Sequence, residues 1–162
     1  MPPTLCATQL ATSELIGNPT GEMAMTQELR WLCYTAMLAA SLWIPYIVGI
    51  NVADFEGKKE LFVRPPDPSQ MKPWVHRSLR AHQNLLEQLL PFSVVVLIGA
   101  IAGVSRPGMT TCAAIFFWLR VAHAVGMISG LARFPVRPMI YVSGWIVTML
   151  YAWQVLAHAI AR

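Results

Sequence analysis

The chain has 162 residues, of which 56% are hydrophobic and only 12% charged, and its mean hydropathy is +0.50. Soluble domains carry about twice that charge fraction, and four nearly charge-free windows, about 31–53, 85–105, 107–132 and 138–161, leave too little polar sequence to clothe a water-soluble bundle. The net charge of +4 clusters beside those windows, a pattern of membrane orientation rather than of nucleic-acid binding, so no nucleic-acid partner is expected.

Residues 1–24 are polar and rich in Pro and Thr, with no Lys or Arg. They lack the basic start and apolar core of a signal peptide. They read as a disordered extension ahead of a membrane domain spanning 25–162, with Met23 and Met25 as alternative starts. The first helix is predicted over about 28–52, with Trp31, Trp43 and Tyr46 suited to the membrane interfaces and Pro45 kinking it. Residues 53–73 read as a loop, because Pro65, Pro66 and Pro68 exclude a regular helix. The second helix covers about 74–104, with Pro73 at its first turn. Ser105-Arg106-Pro107-Gly108 forms a tight turn, and the third helix covers about 109–131 with Arg120 as its only charge. Arg133 to Pro138 make a short rigid turn, and the fourth helix, about 138–161, is uncharged.

Each window is long enough to cross a hydrocarbon core of about 30 Å. The expected fold is therefore an all-α, multi-pass bundle of four transmembrane helices, in contact with membrane lipids. Cys6, Cys33 and Cys112 have no paired spacing, so neither a disulfide framework nor a metal site is expected. Three basic residues (Arg30, Arg106, Arg162) lie on the side of the termini, and eight (Lys58, Lys59, Arg64, Lys72, Arg77, Arg80, Arg133, Arg137) on the other. That asymmetry predicts a cytoplasmic 1–2 loop and 3–4 turn, with both termini on the opposite side.

Arg77, Arg80, Asn84 and Glu87 are spaced 3, 4 and 3 apart. At ~100° per residue they share one helix face within an arc of about 80°. Glu87 lies within a hydrophobic segment, where an ionisable group needs a partner. Arg120, at a comparable depth on the third helix, is the expected one, within a subunit or between subunits. The pair serves structure, ligand binding or both. Arg120, His123 and Met127 share a face of the third helix, and Gly126 with Gly130 makes a GxxxG spacing that lets another helix approach. Arg77, Arg80, Arg133 and Arg137 form a cationic rim at one mouth of the bundle. With Asn84 and Glu87 between them, they suit a small zwitterionic peptide carrying two carboxylates and one amine. Anionic lipid headgroups are the alternative ligand.

Arg80-Ala-His-Gln-Asn84-Leu-Leu-Glu87 resembles the R-A-H-x-N-x-x-E signature of the MAPEG family, the membrane-associated proteins of eicosanoid and glutathione metabolism. Arg120-Val-Ala-His123, continuing to Arg133-Phe-Pro-Val-Arg137-Pro-Met-Ile-Tyr141, resembles the family's third helix and following turn. Met25-Thr-Gln-Glu-Leu-Arg30-Trp-Leu looks like the start of bacterial members, and the likeness covers about 25–160. The resemblance implies a homotrimer with glutathione, as co-substrate, in a cleft between neighbouring subunits. By position it gives Asn84, Glu87, His123 and Tyr141 contacts to glutathione, with Arg80 lining or bracing the mouth and Arg120 and Arg133 completing the site. It makes Arg137 the catalytic residue that stabilises the glutathione thiolate, while a lipophilic co-substrate arrives from the membrane. The chain departs from the eicosanoid enzymes at Met127, where they carry tyrosine, at Gln83, and at Pro138, where the prostaglandin enzyme has serine. The implied activity is that of a glutathione-dependent transferase or peroxidase acting on lipophilic electrophiles or lipid hydroperoxides. The alternative is a non-catalytic trimer whose polar cleft binds a lipid headgroup or is purely structural.

Overall fold

In the computed structural model the described residues are 25–52, 67 and 71–160; the expected N-terminal extension and most of the expected 53–73 loop lie outside them. Among the described residues, five helical segments make four spans: α1 (Gln27–Ser41), α2 (Ile44–Val52), α3 (Pro73–Ile101), α4 (Pro107–Ser129) and α5 (Val136–Ile160). Each span, with α1 and α2 taken together, is long and apolar enough to cross a membrane.

Local chemistry sets the ends. Thr26 caps α1, its hydroxyl accepting from the Leu29 amide, and Glu28 stands in the positive first turn. The first span was expected to be continuous with a kink at Pro45; instead a two-residue turn at Leu42 and Trp43 separates α1 from α2. Pro45 has no N–H for the Ser41 carbonyl, so the ladder lapses just before it. Pro73 and Pro107 occupy the first positions of α3 and α4, where the missing N–H costs nothing. Helix α4 ends at Gly130, whose φ of +80° lets the chain reverse, and the Ala132 amide closes back on the Gly126 carbonyl at 2.9 Å. Pro91 sits inside α3 and leaves the Glu87 carbonyl without its helical donor.

The most extensive packing joins α4 to α5; α3 also packs on both, α1 lies across α3 and α4, and α2 leans on α3. One core holds Phe92 stacked on Phe116 at 3.9 Å, with Tyr151 edge-on to Phe92 at 5.7 Å. A second core gathers Ala39, Leu42, Ala81, Leu85, Ala124 and Met127. The outward surface is apolar, including Leu90, Val94, Ile101, Trp145 and Trp153, as a surface bathed in lipid requires. The buried Glu28 carboxyl accepts the Thr110 hydroxyl and so ties the first turn of α1 to the first turn of α4.

Thr110→Val removes that donor and leaves the Glu28 carboxyl buried without it. The expected loss is about 1.5–3 kcal/mol, read as a lower melting temperature in detergent. An unchanged melting temperature would show that the bridge contributes nothing.

Candidate functional site

A cleft of about 600 Å³ opens at the end of the bundle where α3 begins, α4 ends and α5 begins. Asn84 of α3 and His123 of α4 lie at its inner side, both buried. Arg133 and Phe134 come from the α4–α5 turn, and Arg137, Pro138, Tyr141 and Val142 from one face of α5. Arg133 and Arg137 are exposed, so the cleft has a neutral polar floor and a cationic rim. The His123 and Tyr141 rings are 6.4 Å apart, and His123 Nε2 is buried with no hydrogen-bond partner among the described residues.

An adjoining cleft of about 340 Å³ shares Tyr141 and Val142 and is otherwise lined by Glu87, Gln88, Pro91, Trp145, Thr148 and Met149. It is mostly apolar, with Glu87 at one side. The carbonyl that Pro91 strips of its helical donor belongs to Glu87, so a backbone acceptor and a carboxyl lie close together on this wall.

The structure thus brings Asn84, His123, Arg133, Arg137 and Tyr141 together and places Glu87 next door. Arg80 lines neither cleft; it is exposed and donates to Gln83 at 3.3 Å. Within the single chain the expected Glu87–Arg120 ion pair does not form. Glu87 points outward from α3 and is exposed, whereas Arg120 is only 1% exposed. The Arg120 guanidinium lies 5.5 Å from the centre of the Phe116 ring, and its Nη2 donates to the Ile140 carbonyl at 2.9 Å. The cause is rotational. The buried positions of α3, Val75, Ser78, Ala81, Leu85, Phe92 and Val96 among them, set an inner face on which Gln88 falls and Glu87 does not. Gln88, which the sequence reading passed over, is buried and donates to the Tyr141 carbonyl at 2.9 Å. Its signal was the four-residue step from Asn84, which keeps both on the core side.

Three further expectations change. Met127, the position of the missing tyrosine, packs into the second core and does not line the cleft. The GxxxG glycines are occupied by their own chain. A Cβ on Gly126 would meet the Ala132 Cβ at 2.9 Å, and one on Gly130 would meet the Arg77 guanidinium at 3.2 Å. Arg77 is more than a topology charge, since its Nη2 donates to the Ile128 carbonyl at 3.4 Å and so caps the end of α4.

The sequence model of the MAPEG family matches residues 31–157, most of the chain and all of both clefts. No curated protein sequence matches the chain.

Gly130→Ala forces a Cβ into a left-handed residue and against Arg77, at the root of the turn that carries Arg133. It is expected to cost about 1 kcal/mol, measured by thermal unfolding in detergent. Wild-type stability in this variant would mean that the turn tolerates another backbone path.

Proposed function

The chain belongs to the MAPEG family of membrane proteins, and from that premise we propose that it is a membrane-bound glutathione-dependent transferase or peroxidase acting on lipophilic electrophiles or lipid hydroperoxides. The observation that carries the reading is the cleft itself, in which Asn84, His123 and Tyr141 lie beneath the guanidinium groups of Arg133 and Arg137. Two fixed cations suit a ligand with carboxylates and an ionisable thiol, and Asn84 supplies both donor and acceptor for a peptide group.

In this reading Arg137 faces the sulfur. A guanidinium in a cleft of low dielectric favours the thiolate over the thiol, and the thiolate is the nucleophile. In transfer, the sulfur forms a bond to an electrophilic carbon as the leaving group departs with its electron pair. In peroxide reduction, the thiolate attacks the outer oxygen, the O–O bond breaks to leave a sulfenic acid, and the departing alkoxide takes a proton from water to leave as the alcohol. A second glutathione then reduces the sulfenic acid to disulfide and water. The apolar wall with Trp145, Pro91 and Met149 suits the lipophilic partner, which would enter from the bilayer. Held together, the reactants need no diffusional encounter in the chemical step.

We also propose a homotrimer. Glu87 lies midway along a membrane span and is exposed in the single chain, and Arg80 and Gln83 are exposed on the same helix. A carboxylate facing lipid at that depth is costly, so a neighbouring subunit is its natural cover. The bias of Lys and Arg supports a mouth of the cleft that opens to the cytoplasm. A second reading, a non-catalytic trimer whose cleft holds a lipid headgroup, is favoured by one observation. Met127 is buried in the core, so no side chain from that position assists the thiol.

The test is glutathione binding to the detergent-purified protein. Wild type is expected to bind glutathione below millimolar concentration and to show thiolate absorbance in the ultraviolet. Glu87→Gln should weaken binding by about tenfold or more, the worth of one charge-assisted hydrogen bond, and Arg137→Ala should abolish the thiolate signal while retaining some binding. No binding at millimolar glutathione sinks the enzyme reading. A monomeric mass in mild detergent sinks the trimer.

A further inference from the structure

Two consecutive carbonyls near the start of α5, those of Ile140 and Tyr141, accept hydrogen bonds from side chains of other helices. Arg120 Nη2 of α4 donates to Ile140 at 2.9 Å, and Gln88 Nε2 of α3 donates to Tyr141 at 2.9 Å. A helical carbonyl has a second lone pair, so each accepts without surrendering its place in the helix. Both donors reach α5 over Gly144, one turn further on. A Cβ at that position would collide with Arg120 Nη2 and Gln88 Oε1. Arg120 and Gln88 are themselves buried, at 1% and 6% exposure. Neither lines the cleft that holds Arg137; Gln88 touches only the adjoining one.

Arg137 and Tyr141 stand one turn apart on the cleft face of α5, and the gripped carbonyls belong to the same stretch of helix. Two donors from two different helices, acting on successive residues, restrain both the rotation of α5 and its travel along its axis. Small shifts of this segment move the Arg137 guanidinium and the Tyr141 ring together, because both ride on one rigid helix. We propose that Gln88 and Arg120 are positioning residues, seated in a notch left by Gly144, that set the register of α5 and so aim Arg137 and Tyr141 into the cleft. The consequence for the thiolate rests on the glutathione reading; the placement of α5 does not.

The test separates the two. The chain has four tyrosines, Tyr34, Tyr46, Tyr141 and Tyr151, so protein labelled with 3-fluorotyrosine gives four fluorine resonances in detergent, the Tyr141 line assigned with Tyr141→Phe. In Gln88→Leu and in Arg120→Lys the Tyr141 resonance should shift or broaden, while those of Tyr34 and Tyr46, carried by α1 and α2, stay in place and certify the fold. If Gln88→Leu fails to fold, Gln88→Met keeps the side chain's length and most of its volume, removes the donor and decides the point. In protein that binds glutathione, the same variants should lower the thiolate absorbance per bound glutathione and cut turnover by about tenfold or more, whereas a merely structural role would lower only the yield of folded protein. A Tyr141 resonance identical to wild type in both variants overturns the positioning, whatever glutathione does. Wild type that binds no glutathione removes the glutathione reading alone, and a shifted Tyr141 resonance then still supports the placement.

Discussion

The Arg120 guanidinium lies within a membrane span, and lipid offers it neither counterion nor water. Much else in the cleft half of the bundle follows from where it finds acceptors. Among the described residues no carboxylate reaches it, and the candidate the sequence suggests, Glu87, is exposed on α3. It rests on the Phe116 ring and gives one hydrogen bond to the backbone of α5, leaving Nε and Nη1 without partners among the described residues. To reach that carbonyl it needs an α5 residue without a side chain, and Gly144 supplies the gap. The closeness of α4 to α5, the most extensive packing in the molecule, is the other side of the same requirement.

That requirement also shapes α3. Its buried residues run from Val75 through Ser78, Ala81, Leu85 and Gln88 to Phe92 and Val96, along one continuous face. Gln88 is the polar member at the depth of Arg120, and it shares the notch at Gly144. Asn84 stands one turn nearer the mouth and touches the cleft. Glu87 and Arg80 fall just beyond the edge of this face and are left outside. One helix therefore presents a structural amide, a cleft amide and an outward carboxyl within five residues, separated by rotation alone.

The four spans were legible in the sequence because they depend on length and composition, which need no knowledge of packing. The cleft was legible only in part. Asn84, Arg133 and Arg137 are polar residues bordering apolar runs at one end of the bundle, whereas His123 and Tyr141 were expected beside them from the family resemblance. What the sequence left hidden was rotational phase. An arc of about 80° holds Arg77, Arg80, Asn84 and Glu87 together but does not say which edge turns inward. The stripe straddles the boundary of the core, so Arg77 reaches the end of α4 while Glu87 does not reach Arg120. Gly126 and Gly130 misled in another way. Their spacing matches helix association, but Gly130 is where α4 stops, and a residue past the end of a helix cannot contribute to its packing face.

The single chain offers its polar groups more backbone acceptors on one flank than on the other. Inside, the amide of Gln88, the guanidinium of Arg120 and the hydroxyl of Thr148 all have backbone acceptors. Along the outer flank of α3 and the start of α5, the balance reverses. The Glu87 carboxyl is exposed, its carbonyl has lost a donor to Pro91, and Arg133 and Arg137 are exposed at the rim. These groups carry both signs and both hydrogen-bonding senses. An apolar neighbour would bury them at a cost, and lipid tails would do so at a greater one. A zwitterionic ligand held against a second polar surface answers carboxyl, carbonyl and guanidinium at once. The proposed ligand and the proposed neighbouring subunit would thus answer the same exposed groups.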